Sequence, residues 1–285
     1  MDCRIATHNG VTDLIAPPPP SNRDTVNSAT APLSRPTHAI RGADQALLYS
    51  EIVAVPRFTD ETLTFLRALK RHNDRDWFNE HRADYDTNVK DRMVEIIGRL
   101  AEDFARFAPD QVASPRVSLY RIHRDTRFSA DKSPYKTHVA AVFPHRTLTK
   151  HGGAGLYFHV SPDEVFVGAG IYAPDPRQLY ALRRHVSTNF RRFRTIVESP
   201  TFRKAFDPLD GDRLKRPPKG FDADDPAIEY LKLKRLTAGT GKPSTFATGS
   251  RFYTSLVRLF EHLTPFVGFL NEPLVRPAKD ILEAK

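Results

Sequence analysis

Apolar residues in this chain change their spacing twice, and that double change limits the possible folds more than any other feature. From Phe78 to Phe107 they recur at three- and four-residue steps, at Phe78, Tyr85, Val89, Met93, Ile96, Leu100, Phe104 and Phe107. That is the period of one helix face. Past Pro109 the step becomes two: Val117, Leu119 and Ile122, then Val139, Ala141 and Phe143, then Leu156, Phe158 and Val160, then Val165, Val167 and Ala169. Four half-buried strands are expected there, the last two joined as a hairpin through Ser161-Pro-Asp-Glu. The helical step returns after Asp175, with Leu179, Leu182, Val186, Phe190, Phe193 and Val197. Helices, then strands, then helices predict an α+β fold, with a mainly antiparallel sheet (a meander with a hairpin) packed against several helices.

Local signals sharpen the boundaries. Thr59 is placed to cap a helix with Asp60 and Glu61 in its first turn, Phe58 stapling onto Leu63. Asp175 followed by Pro176, and Ser199 followed by Pro200, are further helix starts. The last helix is expected from near Ser250, restarting at Thr264-Pro265. Tyr230-Leu-Lys-Leu-Lys-Arg-Leu alternates like an edge strand guarded by lysines. Residues 1–55, with the proline run Pro17 to Pro20 and much Ser, Thr, Asn and Ala, read as a disordered low-complexity leader. A single globular domain is expected over 56–275, with a short C-terminal tail at 276–285.

The chain has 285 residues, 43 basic against 34 acidic, a formal net charge of +9. Such a balance favours acidic partners and is silent about fold. No apolar run approaches the roughly 20 residues of a membrane span, and Cys3 is the single cysteine. Disulfides, thiolate zinc sites and a cysteine nucleophile in the core are therefore excluded, and a reducing, cytoplasmic setting is the expectation.

The densest chemistry lies between the first two expected strands, in Arg121-Ile-His-Arg-Asp-Thr-Arg-Phe-Ser-Ala-Asp-Lys-Ser-Pro-Tyr-Lys136. Arg121, Arg124, Arg127, Lys132 and Lys136 face only Asp125 and Asp131, and a cation surplus needs an external anion or open solvent. A turn near Ser129-Ala-Asp-Lys would bring the second basic group back toward the first. The first reading is a site for a phosphate- or carboxylate-bearing small molecule. The five cations, with Ser129, Ser133 and Tyr135, would hold the anion, and Asp125 or Asp131 would be the general base of an enzyme. The second reading is a nucleic-acid-binding module, drawing on a further cluster at Arg213, Lys215, Arg216, Lys219, Lys232, Lys234 and Arg235. The third is a lattice of ion pairs that only fixes the loop.

This run, with Asn-Asp-Arg-Asp-Trp-Phe at 73–78 and Gly-Ala-Gly-Ile-Tyr at 168–172, resembles the conserved hypothetical family known as domain of unknown function 2461. The resemblance covers roughly 56–275, including the Leu-Lys-Arg-Pro-Pro-Lys-Gly and Tyr-Leu-Lys-Leu-Lys segments. It implies no catalytic residue, cofactor or reaction that can be carried over.

Other motifs are weaker. Asn73 or Asp74 reads as a helix cap, with Trp77 as a core anchor. His123 with Asp125, or His138 with His159 across the sheet, could supply two metal ligands, but no pair has a recognised metal spacing, so no metal site is expected. Gly152-Gly-Ala-Gly155 precedes a strand and reads as a turn. The glycines at 168 and 170 inside a strand signal a bulge, or the close approach of a ligand or another backbone.

Overall fold

Thr59, extended and just ahead of the first apolar helical face, sets where the first helix begins, its backbone N–H donating to the Thr62 hydroxyl at 3.3 Å. The computed structural model describes residues 55–127, 129–209 and 211–275. Residues 1–54 of the expected leader, the expected tail at 276–285 and Phe128 in the charged run lie outside these. Helix α1 is Asp60–Arg71, burying Leu63, Phe65, Leu66 and Leu69, with Phe58 fully buried ahead of it.

The long helix expected from Phe78 is instead four pieces: α2 (Arg75–Glu80), α3 (Arg82–Tyr85), a π-helical turn at Asp86–Lys90, and α4 (Asp91–Phe107). In the π turn the Asp91 N–H reaches the Asp86 carbonyl, one residue further than an α-helix allows. The Thr62 hydroxyl of α1 donates to the Asn88 carbonyl at 2.5 Å, so a neighbouring helix supplies a partner where the α ladder is interrupted.

A second correction concerns 117–122, expected as the first strand. Ser114 accepts from the Val117 N–H, Pro115 takes the first helical position, and Pro115–Ser118 forms a single turn, α5. What remains of strand pairing is isolated: Leu119 opposite Ala141, and His123 opposite Tyr135.

The sheet itself is a four-stranded antiparallel meander, β1 (Val139–Phe143), β2 (Gly155–Val160), β3 (Glu164–Ile171) and β4 (Leu236–Pro243), in that spatial order. The Ser161 hydroxyl closes the β2–β3 hairpin, accepting from Asp163 and Glu164 and donating to the Glu164 carbonyl. Between β3 and β4 run α6 (Pro176–Thr188), α7 (Phe190–Val197), α8 (Pro200–Ala205) and α9 (Ile228–Leu231). The expected edge strand at 230–236 is largely displaced: Tyr230 and Leu231 end a helical turn, Leu233 keeps one isolated bridge to Arg213, and pairing within the sheet starts at Leu236 opposite Ile171.

Helix α10 (Phe252–Val275) runs unbroken through Pro265, where a restart was expected. An interior proline costs about 3 kcal/mol. Burial of Phe260, Leu263, Phe266, Val267, Phe269 and Leu270 along the same helix offsets it. Its Phe260 meets Phe143 and Phe158 at 5.6 and 6.2 Å, so one face of the sheet is the floor of the core. At its far end the buried Asn271 amide clasps Ala154, accepting from its N–H at 2.8 Å and donating to its carbonyl at 2.9 Å. That clasp fixes where β2 begins. Among the described residues no helix is long and apolar enough to cross a membrane.

Candidate functional site

Strand alternation sends Leu156, Phe158 and Val160 into the core, so Tyr157 and His159 stand on the opposite face of β2. On β3 the same face carries Glu164, Phe166, Gly168 and Gly170, and on β4 Gly239 and Gly241. The register puts Gly168 and Gly239 in one row beside Tyr157, so two of its neighbours project no side chain. The Phe166 ring fills part of that space, 2.3 Å from where a Cβ on Gly239 would sit. Gly170, at φ +121, would place a Cβ 2.1 Å from the Leu236 carbonyl oxygen. Close approach of another backbone, one of the readings the sequence left open for this glycine pair, is thus what Gly170 permits.

The charged run borders this face. Ile122 and Lys136 join through the Lys136 N–H to the Ile122 carbonyl at 2.8 Å, and Arg124 N–H meets the Pro134 carbonyl at 2.9 Å. Residues 124–134 thus form an excursion between two paired arms, and the turn returns Lys136 to Arg121. Asn73 pins the second arm, exchanging hydrogen bonds of 3.0 Å with both the Tyr135 N–H and carbonyl. The Tyr135 ring is buried and stacks on Phe78 at 4.1 Å. The cap of α2 is Asp74, which accepts from the Trp77 N–H, and Phe78 is buried more deeply than the half-exposed Trp77.

Inside the excursion the charges answer one another. Arg124 pairs with Asp131, with the Ser129 hydroxyl at 3.5 Å. Arg127 pairs with Asp125 through two hydrogen bonds, of 2.8 and 3.1 Å. Asp131 also accepts from the Ser133 N–H and hydroxyl, and Lys132 donates to the Thr126 carbonyl. The Arg127 hydrogen bonds hold the Asp125 carboxyl down at about 2. Those from Ser133 and then Arg124 hold Asp131 far below the usual carboxylate range. Both aspartates stay ionised and engaged, which makes each a weak base.

Lys136 behaves differently. Its ammonium donates to the Arg121 carbonyl at 2.9 Å and lies 5.1 Å from the centre of the Tyr120 ring. Lys150, from the β1–β2 connection, lies 4.4 Å from the centre of the same ring. Among the described residues neither ammonium meets a carboxylate. Burial, then the charges of Arg121 and Lys150, lowers Lys136 to about 8, and burial lowers Lys150. His151 stacks against Tyr120 at 6.0 Å.

The cluster continues across the sheet. Tyr120 and Tyr157 rings lie 6.4 Å apart, and the Tyr157 hydroxyl is 3.1 Å from Nδ1 of His159. His159 Nε2 is 3.7 Å from Glu164. His138 and His159, weighed above as a metal pair, are adjacent at 5.2 Å. Among the described residues, however, no group of three His, Cys, Asp or Glu side chains is placed to hold a metal. Burial is the main cause that lowers both histidines to about 4, with Lys136 acting on His138 and His138 on His159. Burial likewise raises Tyr120 to about 12 and raises Tyr157.

Of the residues nominated from sequence, the structure thus brings Arg121 and Lys136 to the edge of this face. Arg124, Arg127, Ser129, Lys132 and Ser133 serve the excursion, and Tyr135 the core. Tyr120, Lys150, Tyr157 and Glu164 were not nominated. The signal for Tyr157 and Glu164 was the complementary phase of the alternation that marked the core strands, and Tyr120 and Lys150 lie outside the strands.

Two other regions compete less well. A hollow of about 230 Å³ is lined in part by Gln111, Asn271 and Glu272. Asn271 is spent on Ala154 and Glu272 on Arg192. In the second basic cluster, Arg213 and Lys232 pair with Glu229, and Arg235 with Asp212.

Compared with known proteins, the chain matches a family model described as Conserved hypothetical protein (DUF2461) over residues 61–269, a span holding the charged run and all four strands. No curated protein and no solved structure matches the chain.

Proposed function

Because the chain belongs to the conserved hypothetical protein family DUF2461, which brings no activity with it, we propose a function from the site alone: binding of a phosphate- or carboxylate-bearing small molecule at the edge of the sheet face opposite the core, between Lys136 and Lys150. One observation carries it. Two half-buried ammonium groups share one tyrosine ring and have no carboxylate partner among the described residues. Unpaired cations removed from water are costly, and an anion bridging them would recover that cost. Tyr120 gives each lysine a cation–π contact worth about 0.5–2 kcal/mol, which holds the ammonium groups in place without neutralising them.

The charged run then has a positional role in this reading. Its two backbone-paired arms, at 122–124 and 134–136, return Lys136 beside Arg121, and the arginine–aspartate pairs close the excursion between them. Isothermal titration with inorganic phosphate tests it. Wild type is expected to bind, Lys136→Met and Lys150→Met to weaken binding at least about tenfold, the scale of one charge-assisted contact, and Arg127→Met to change it less than about twofold. Absence of binding, or equal losses in all three variants, overturns the reading.

A further inference from the structure

Beside the two lysines stands a chain of groups that simple anion binding does not use. Tyr157, His159 and Glu164 occupy one face of adjacent strands, with the phenol oxygen 3.1 Å from Nδ1 of His159 and Nε2 of the same ring 3.7 Å from the Glu164 carboxylate. A hydroxyl, a base within hydrogen-bond reach, and a carboxylate on the far side of the base is the arrangement by which weak oxygen nucleophiles are activated. Glycines 168 and 239, beside Tyr157, leave room for the Phe166 ring, which lies 2.7 and 2.3 Å from where their Cβ atoms would sit. Tyr120 joins Tyr157 directly to the lysine pair.

We propose that Tyr157 is a nucleophile toward the phosphoryl group of an anionic ester held by Lys136 and Lys150, with His159 as its base and Glu164 as a positioning residue. This rests on the anion site proposed above. In the step, a bond forms between the Tyr157 oxygen and phosphorus while the bond from phosphorus to the leaving oxygen breaks. The phenolic proton passes to His159 Nδ1 and from there to the leaving oxygen. Negative charge gathering on the phosphoryl oxygens faces the two ammonium groups, and the positive charge on the imidazole faces Glu164, so both developing charges meet their opposite. His159 is flanked by His138, Tyr157, Phe166 and Glu164; burial leaves its ring uncharged near neutrality and lowers its proton affinity, so the imidazolium formed in the step depends on the nearby Glu164 carboxylate.

The test needs no natural substrate. 4-(Fluorosulfonyl)benzoate carries a carboxylate for the lysines and a tetrahedral sulfonyl centre, from which fluoride leaves when an oxygen attacks. The full chain is incubated with it and the adduct located by peptide mass spectrometry. The expected result is one adduct, on Tyr157, absent in Tyr157→Phe and slowed by inorganic phosphate. In His159→Asn the rate falls at least about tenfold, and its pH profile changes character. Wild type stays level from about pH 5.5 to about 7.5, because the base is already neutral, whereas the variant climbs about tenfold per pH unit with the phenolate fraction. An adduct on Lys136 or elsewhere, no adduct, or an unchanged His159→Asn profile overturns the proposal. A His159-dependent adduct on Tyr157 that phosphate fails to slow would retain the relay and overturn the lysine-held substrate. Loss of phosphate binding in calorimetry, by contrast, strikes the anion site alone.

Discussion

The excursion from Arg124 to Ser133 and the sheet face beside it are both rich in charge, and they treat it in opposite ways. In the excursion every carboxylate is met by a neighbouring arginine, and each pair keeps one partner in solvent: Arg127 retains 70% of its side-chain surface against 22% for Asp125, and Asp131 58% against 19% for Arg124. On the face, cations and imidazoles are half-buried, and among the described residues only Glu164 of their neighbours is acidic. Exposed pairs of opposite sign shape a loop at little energetic consequence, whereas desolvated groups of like sign shift one another's proton affinity. Residue type alone would rank the excursion as the site. Environment ranks the face first.

If the face is held by backbone and the excursion by charge, disturbing the backbone of the face should cost most. Gly170→Ala puts a Cβ against the Leu236 carbonyl at a positive φ, in a strand that already pairs on both sides. Left-handed strain of about 1–3 kcal/mol adds to overpacking of about 1–3 kcal/mol. Urea denaturation should therefore show a loss of about 3–4 kcal/mol. A loss under about 1 kcal/mol would mean that β4 yields easily, and the contrast would weaken.

Acid should separate the two regions next. His138 and His159 have folded values of about 4, well below their unfolded ones, so between about pH 6.5 and 4 the unfolded chain binds more protons. Stability from keeping these rings neutral is present above that window and lost as pH falls through it, by about 2–3 kcal/mol for a shift of this size. Asp125, at about 2, loses its contribution only below about pH 4, and Lys136 acts at the other end, stability rising between about pH 8 and 10 as its proton leaves. Denaturation midpoints measured against pH should show the first window become shallower in His138→Asn, where His159 alone remains, and stay unchanged in Asp125→Asn. The reverse would assign the acid sensitivity to the excursion.

Much of the fold was legible because caps and periods are local. Thr59, Asp175 with Gln178, and Ser199 mark helix starts by hydrogen bonds to their own first turns, and β1, β2 and β3 bury their expected core residues at every second position. The errors came where distant contacts decide. The π turn depends on Thr62 meeting Asn88, and the unbroken α10 on phenylalanines packing around Pro265. Strand β4 reads Leu-Thr-Ala-Gly-Thr-Gly-Lys-Pro, with glycines where the outward phase would show, while Leu231 and Leu233 just before it are buried in a helical end and its exit. The site was half legible. Lys136 stood in the nominated run, but Lys150, Tyr157 and Glu164 belong to other segments, and only the sheet register brings Tyr157 and Glu164 to one face.

The smallest expected effect tests the excursion itself. Arg127→Ala removes two hydrogen bonds to Asp125, yet the arginine is largely exposed and water can replace what it gives. Exposed pairs contribute about 0–1 kcal/mol, so the urea midpoint should move by the equivalent of about 0.5 kcal/mol or less, and less again in high salt. Phosphate titration of the same variant should match wild type, since Lys136 is returned to the face by the paired arms at 122–124 and 134–136, which the Arg127 side chain does not join. A larger loss of stability together with lost binding would mean that the ion pairs, and not the backbone pairing, place Lys136. The excursion would then be part of the site, and the division between the two regions would fall.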